Sequence, residues 1–490
     1  MKKLLALLLL LATLIPTFVA CADTGVGGDD TTASNEETEP SQLDDLPASL
    51  KYNGEDVVIL SRAFLGWTWD EVAVPELNSE PVNDAIFNRN AKVSDRLNIN
   101  IVSSPIEDAD QNKPIAEIER VVKAGSEDYD LLAGAAYLVC NSSLSGTFRD
   151  LTQLEYLDLD KSYWTQDYNE VISYNSKQYS ATGMIALSTY RFAFVTMFNK
   201  KAFDDSSVPY LYETVNNGEW TLDYQAGIAE NFYQDLNGDG KKDEDDFYGL
   251  ISSPYISTDP YWASCNIPLV QKNADGEYEY VLNVGKLSDA TDKILQLFYE
   301  SGTYVYPHKG LDEEQDDIRI AFAKGNGAMA TLRLVAAEQS DIRNMEDQYG
   351  IVPMPKFDTA QASYGTLVHD QFTVYAVPAT VKDAKFQLCG AVLEAMASES
   401  MLTVKPAYYE IALKRKYMSD PTAWEMLDLI FDTVKIDAGI VYTASLGSPH
   451  DKLRQIITSK KNTVASGYKK TGSQVGKYLK KMVDKLDDLS

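Results

Sequence analysis

The chain has 490 residues, with 73 Asp and Glu against 44 Lys and Arg and a formal net charge of −29 at pH 7. That balance argues against nucleic acid and an anionic membrane surface as partners, because a polyanion is repelled. Apolar residues make up 44% of the chain and aromatic residues 11%, enough for a large core in two or three compact units.

The amino terminus reads as an export signal. Lys2 and Lys3 precede an unbroken apolar run from Leu4 to Ala12, and Phe18-Val19-Ala20 leads into Cys21. A basic start, an apolar stretch and a small-residue cleavage site mark a segment that is removed and takes no part in the fold. The run is too short to span a bilayer. Cys21 stands where a lipoprotein peptidase cuts, with Phe18 in place of the usual Leu, so Cys21 is the candidate lipidation site and a plain secreted protein is the alternative. From Ala22 to Leu50 the chain is rich in Asp, Glu, Gly, Thr and Ser and has no Lys or Arg. Such a stretch buries too little apolar surface to fold and predicts a disordered acidic tether, which as a coil spans about 30 Å.

Strands and helices then alternate. Asp56 to Ser61 (DVVILS) predicts a strand, Val82 to Leu97 a helix with Ile86, Val93 and Leu97 on one face, and Asn98 to Ser103 (NINIVS) a second strand. Pro114 opens a helix striped by Ile115, Ile118, Val121 and Val122 and ended by Gly125, and Asp130 to Gly134 is a third strand. This βαβαβ order implies a parallel sheet with helices on both faces. Gln178 to Ala181 and Phe192 to Phe198 read as strands around a loop containing Gly183, Asn199-Lys200-Lys201 begins a helix, and a second α/β unit starts near Arg191. Tyr349 to Pro355 and Gln371 to Val377 are strands bracketing a polar loop, and Pro378 leads into the helix containing Cys389 to Met396. An α/β lobe that begins, is interrupted by a second lobe and then resumes accounts for this order. The stretch Asp451 to Ser490 holds ten Lys or Arg against four Asp, and its Val475, Leu479, Met482, Val483 and Leu486 recur at helical spacing. A helix docked by that apolar stripe, with a solvated basic face, is expected. Beyond Cys21 only Cys140, Cys265 and Cys389 remain, widely spaced, which predicts buried free thiols.

One loop carries metal chemistry. From Asp235 to Asp246, Asp235, Asn237, Asp239 and Asp243 occupy positions 1, 3, 5 and 9, and Gly240 occupies position 6. Calcium takes six to eight oxygens, and alternate side chains of a tight loop converge on it while the glycine makes the sharp turn. The carbonyl of Lys241 supplies position 7. Position 12 is Asp246 where an EF-hand has Glu, and Glu244 at position 10 offers a more compact closure. A structural calcium clip is expected, with both closures open.

Catalytic patterns are scarce. The three histidines, His308, His369 and His450, lie far apart with no metal-ligand spacing, so a surface position is the default for each. There is no G-x-S-x-G elbow, and Gly472 to Tyr478 is too short for a phosphate loop and lacks its Ser or Thr. Aromatic residues beside polar ones in predicted loops are more telling: Trp67, Trp69, Tyr137, Trp164, Tyr255, Tyr261 and Trp262. Sugar rings stack on such faces while neighbouring polar groups bond the hydroxyls.

Asn83 to Asn90 (NDAIFNRN), Met197 to Lys200 (MFNK), Gly218 to Thr221 (GEWT), Lys324 to Met329 (KGNGAM), Tyr349 to Lys356 (YGIVPMPK) and Ala407 to Glu410 (AYYE) occur in this order. On these motifs the chain resembles the extracellular solute-binding proteins, family 1, of bacterial ABC importers, including calcium-containing alginate-binding members. The resemblance implies a two-lobed, periplasmic-binding-protein-like α/β fold of type II with discontinuous lobes joined by a hinge. Residues 51–190 and 374–410 then form lobe 1, 191–373 form lobe 2 with the calcium loop 235–246, and 411–490 pack as a helical region across the lobes. The crossings fall near Gly183 to Phe192 and His369 to Val374. The resemblance also implies a monomer that binds a carbohydrate in the inter-lobe cleft without turnover and delivers it to permease subunits, touching the membrane only through a lipid anchor. Trp67, Tyr137, Trp164, Tyr255, Trp262 and Arg333 are the expected cleft residues, with Arg191 near the hinge; Arg333 reads equally as a surface charge. The family's calcium loop matches Asp235, Asn237, Asp239, Lys241, Asp243 and Glu244. A lipid-anchored glycan-cleaving enzyme and a calcium-stabilised adhesin are the alternatives.

Overall fold

The structure, a computed structural model, describes residues 42–63, 70–106, 111–409 and 421–489. Cys21, the acidic segment up to residue 41, and Trp67 and Trp69 lie outside the described residues. Among those residues no helix is long and apolar enough to cross a membrane.

Three parallel strands begin the fold: β1 (Glu55–Arg62), β2 (Ile99–Ile106) and β3 (Leu131–Ala135). The helix Pro81–Leu97 starts on proline, buries Ile86, Val93 and Leu97, and stops at Asn98 with φ 50°. The helix Asn112–Ala124 buries Ile115, Ile118 and Val121 and stops at Gly125 with φ 69°. Both end in a left-handed residue whose N–H returns to the last turn, which satisfies carbonyls the helix leaves open. The predicted order and faces and the stop at Gly125 are present, while Asn98, expected in the second strand, caps the first helix.

A second sheet follows. β4 (Phe194–Asn199) is buried along its whole length and runs into a short helix capped by Asn199, whose side chain accepts from Ala202 N at 3.2 Å. β5 (Leu250–Ser252), the hairpin β6 (Val270–Lys272) and β7 (Tyr278–Tyr280), β8 (Thr303–Val305), β9 (Met329–Arg333) and β10 (Tyr349–Pro353) complete this part. The sheet order is β10-β4-β9-β5-β8, with β4 antiparallel to both neighbours. The chain then passes through β11 (Thr366–Leu367) and returns to the first sheet as β12 (Thr373–Ala376), antiparallel beside β3. The first sheet is thus β12-β3-β1-β2, begun by one stretch of chain and closed by another. Later, β13 (Val434–Lys435) pairs with β11.

Among the described residues, two segments lead from a strand of one sheet to a strand of the other, and they touch. Ala193 and Val368 form an antiparallel bridge, and His369 N donates to the Phe192 carbonyl at 3.0 Å. Gly183 lets the first crossing leave: a Cβ there would stand 2.2 Å from the Tyr163 carbonyl oxygen, closer than packed atoms approach.

Some expectations need correction. The strand expected over Gln178 to Ala181 is one bridge, from Ala181 to Tyr375. Its backbone is engaged elsewhere, with Gln178 N donating to Asp150 Oδ1 at 3.1 Å. The acidic segment does not stay a tether as far as Leu50. Asp44 and Leu46 are buried, and Asp44 accepts from Arg96 at 2.8 and 2.5 Å and from its neighbours' N–H groups. Burial raises the Asp44 carboxyl, but the Arg96 and Ser398 hydrogen bonds outweigh it and hold the group below its usual range. Composition did not reveal this because the partners lie far along the chain. His369 and His450 are buried, not at the surface. Cys140, Cys265 and Cys389 are free and buried as expected.

The carboxyl-terminal helix Val464–Asp488 buries Val464, Tyr468, Val475, Leu479, Met482 and Leu486, while its lysines face out. Just beyond it the Leu489 carbonyl accepts from Lys177 Nζ at 2.7 Å. The helix Asp383–Glu399 is buried on nearly every face beneath the first sheet. Its Glu394 accepts from Trp164 Nε1 and from Asp158 N, each at 3.2 Å, and from the Tyr163 hydroxyl.

Burial pushes the Glu394 carboxyl up to about 7, against the pull of those three donors. A folded-state pKa raised above the unfolded value gives stability that is complete below about pH 4.5 and is lost as pH rises through 7. Glu394→Gln, which keeps an acceptor and gains a donor toward Tyr163, therefore gains on the wild type by on the order of 2 kcal/mol between pH 4.5 and pH 8. Urea unfolding at the two pH values measures this; a constant difference refutes the assignment.

Candidate functional site

In open α/β sheets, ligands bind beyond the carboxyl ends of the strands, so those ends are where the site is sought. β1 ends at Arg62 and β9 at Arg333, both buried. Their guanidinium carbons stand 6.0 and 5.6 Å from the centre of one ring, Phe192 of the first crossing. A cation from each sheet therefore meets the same aromatic residue. Arg62 also donates to Gln111 Oε1 at 2.8 Å, to Thr373 Oγ1 at 3.0 Å and to the Gln371 carbonyl. Burial lowers its pKa to about 10, opposed by Glu71, Tyr137 and Asp370, and the group stays charged. Arg333 is not a surface charge.

β3 delivers Tyr137 to the same place. Ala136 N and Tyr137 N donate to the carbonyls of Phe372 and Asp370 at 2.9 and 3.2 Å, which ties this turn to the second crossing. β5 leads to Tyr255, stacked on His308 with centres 4.1 Å apart and planes at 19°. The Arg454 guanidinium carbon lies 4.9 Å from the Tyr255 centre, so protein groups already engage this ring. Arg454 comes from the carboxyl-terminal region and is matched by Asp259 at 2.6 and 2.5 Å and by Asp451 at 2.6 Å. His308 pairs with the buried Glu314.

Trp262, His369, Asp370, Asp259, His450 and Arg454 border a void of about 10 Å³. The His369 ring is edge-on to Phe194, and both its nitrogens lack a hydrogen-bond partner among the described residues, as does Trp262 Nε1. Burial and the charges of Arg333, Arg454, His450 and Arg62 hold His369 well below its ordinary pKa, so the ring is neutral. Burial pushes Asp370 up to about 7, with Arg454 opposing and Asp259 and Asp451 adding to the rise. His369, His450 and Arg454 were missed because a lone histidine or a helix arginine carries no local signal.

Trp164 sits apart from this group, in the first-lobe core, and borders a larger cavity of about 390 Å³ with Tyr190, Phe372, Met401 and Phe431. None of the strand-end residues named above lines that cavity. It abuts the crossings, beside Arg191. Arg191 donates to Asp70 at 2.6 and 3.0 Å and to Glu338 at 2.9 Å. Asp70 follows β1 and Glu338 follows β9, so one guanidinium on the crossing holds both lobes. Burial works against its charge, but Asp70 and Glu338 more than compensate and raise its pKa well above the ordinary value.

The loop 235–246 lies at the amino end of β5, the opposite edge from Tyr255. Asp235 accepts from Gly238 N at 2.6 Å and Gly240 N at 2.9 Å, Asn237 from Asp239 N at 2.9 Å, and Asp239 from Lys241 N at 2.8 Å. Asp246 turns inward, accepting from Leu236 N and the Tyr233 hydroxyl, each at 3.1 Å. Among the described residues no three His, Cys, Asp or Glu side chains converge tightly enough to hold an ion by themselves.

Comparison with protein-family models finds no match, and none is found among curated proteins. Solved structures do match. A sugar transporter protein of Rhizobium etli in an open conformation aligns with TM-score 0.58 and 17% identity over 86% of this chain and 99% of its own. The GacH receptor of Streptomyces glaucescens, solved unliganded and with acarbose, gives 0.56 and 14% over 87% and 99%. An ABC substrate-binding protein of Listeria monocytogenes in complex with cycloalternan gives 0.55 and 13% over 86% and 98%. These likenesses show the two-lobed α/β fold; chemistry has to be argued from the site.

Arg191→Met leaves the buried Asp70, and the partly exposed Glu338 beside it, without a counter-charge. Loss of about 3 kcal/mol of unfolding free energy is expected, since removing one partner of a buried ion pair is far more costly than replacing the pair. Urea titration checks it, and a change below about 1 kcal/mol would show that the clamp does not hold the lobes.

Proposed function

We propose that this chain is the solute-binding component of a bacterial ABC importer, capturing a sugar or oligosaccharide between its lobes and releasing it intact to membrane permease subunits. The observation that carries this reading is the convergence of both sheets' strand ends on the crossings, where Arg62, Phe192 and Arg333 meet. Groups of both lobes that reach one place bind a ligand best when the lobes close on it, and crossings of this kind act as hinges. The solved proteins of the same fold named above were crystallised with acarbose and cycloalternan, which supports a carbohydrate ligand. Tyr137, Trp262 and His369 are the proposed ligand contacts, with Trp67 proposed from the sequence alone. Arg191 is proposed to set the hinge.

In this reading Cys21 carries the lipid, the acidic segment up to residue 41 is the tether, and the protein acts as an extracellular monomer held at the cell membrane. Calcium is proposed at Asp235, Asn237, Asp239, Asp243, Glu244 and the Lys241 carbonyl. The first three carboxylate or amide side chains already accept from the loop's own N–H groups, and the engagement of Asp246 by Leu236 N and the Tyr233 hydroxyl supports closure by Glu244. When bound, the ion would supply structural cross-linking of the loop and no part of ligand binding.

Thermal shift against a panel of oligosaccharides tests the main reading. At least one member raises the Tm and is recovered uncleaved after prolonged incubation; cleavage products would make the chain an enzyme and refute it. For the metal, a chelator lowers the Tm and added calcium restores it, and Glu244→Gln weakens the restoration more than Asp246→Asn. No chelator effect removes calcium from the account.

A further inference from the structure

The void bordered by Trp262 and His369 has a property the general reading does not require. Trp262 is 3% exposed and His369 is 3% exposed, yet the indole N–H and both imidazole nitrogens lack hydrogen-bond partners among the described residues. Leaving a buried donor or acceptor unpaired costs about 1–3 kcal/mol. Neither side chain takes part in the ion-pair clamp of Arg191, Asp70 and Glu338 at the hinge; His369 joins the crossings only through its backbone N–H. The two groups come from different parts of the molecule: Trp262 from the short helix Tyr261–Ser264 in the second lobe, His369 from the crossing.

Resting on the proposed function, we infer that Trp262 and His369 form a hydroxyl-reading pair at the floor of the cleft, completed by an uncharged sugar hydroxyl. A single hydroxyl oxygen can accept from the indole N–H while its own proton goes to an imidazole nitrogen. A void of about 10 Å³ is the size of one oxygen-centred group, either a ligand hydroxyl or one water. A carboxylate is disfavoured there. The cation bordering the void, Arg454, is saturated by Asp259 and Asp451, and Asp370 stands on the same wall with its Oδ1 3.6 Å from His369 Nδ1. A carboxylate would meet a neutral ring and a second acid.

The pair predicts a signature that a structural role does not give. Replacing an unpaired buried polar group by an apolar one of similar shape is neutral or stabilising, so His369→Leu keeps or raises the Tm of the ligand-free chain. The same substitution leaves a ligand hydroxyl unpaired and weakens binding about tenfold or more. His369→Gln, with one donor and one acceptor, recovers part of that loss. The experiment measures Tm and, by calorimetry, Kd for the full chain and both variants. Its probes are maltotetraose, acarbose and an oligoguluronate, a chain of acidic sugars. Support is weakened binding of a neutral probe by His369→Leu with an undiminished ligand-free Tm. Equal binding of that probe by His369→Leu, a lowered ligand-free Tm, or binding of the oligoguluronate in preference to the neutral probes overturns the inference while leaving carbohydrate capture intact. A wild-type chain that binds none of the probes, and no other oligosaccharide, overturns both.

Discussion

A guanidinium withdrawn from water between two carboxylates governs how the lobes meet. Arg191 lies on the first crossing, Asp70 reaches it from beyond β1, and Glu338 reaches it from beyond β9. Each lobe thus contributes one acid to a base that belongs to the connection between them. Burial raises the cost of breaking this arrangement, because any lobe movement that separates the partners exposes a charge to a poor solvent. The neighbouring residue, Phe192, repeats the pattern with opposite polarity, receiving Arg62 from one sheet and Arg333 from the other. The crossings are therefore polar, specific and in register, with Ala193 bridged to Val368.

From this constraint the position of the site follows. Crossings that hold the two sheets with their carboxyl ends facing each other bring Tyr137, Tyr255, Trp262 and Arg333 toward one region, although they are spread along most of the chain. Around them the balance of charge is close: Arg454 is answered by Asp259 and Asp451, and His369 stays neutral among cations. A floor of neutral donors and acceptors with matched charges suits a polyhydroxylated ligand. It gives many hydrogen bonds without a large desolvation cost for an unpaired ion.

Much of the fold was legible because its signals are local. Pro114 in the first turn of a helix, Gly125 at its end, and the stripes Ile86-Val93-Leu97 and Ile115-Ile118-Val121 are each contained in one element, and the lobe that begins, stops and resumes shows in the order of strands. Where the partner lay far along the chain, the reading failed. Asp44 looked like part of a solvated acidic run because Arg96 and Ser398, which bury it, are distant in sequence. His369 looked like a surface residue because nothing beside it in the chain reports its burial. Gln178 to Ala181 has strand-like residues, but Asp150 competes for its backbone. The aromatic residues were the hardest to sort. Trp164 and Trp262 sit in similar loop-like sequence, yet Trp164 has its N–H bonded to Glu394 in a core, whereas Trp262 has its N–H unpaired among the described residues, beside the crossing. Only the fold distinguishes them.

If the lobes are joined as described and close on a ligand, the whole molecule has to become more compact when it binds. Small-angle X-ray scattering of the purified chain, recorded alone and at saturation with an oligosaccharide that stabilises it, measures that directly. The account predicts a fall in the radius of gyration with no change in mass. An unchanged scattering profile at proven saturation would show a rigid pair of lobes and would contradict the hinge on which the account rests.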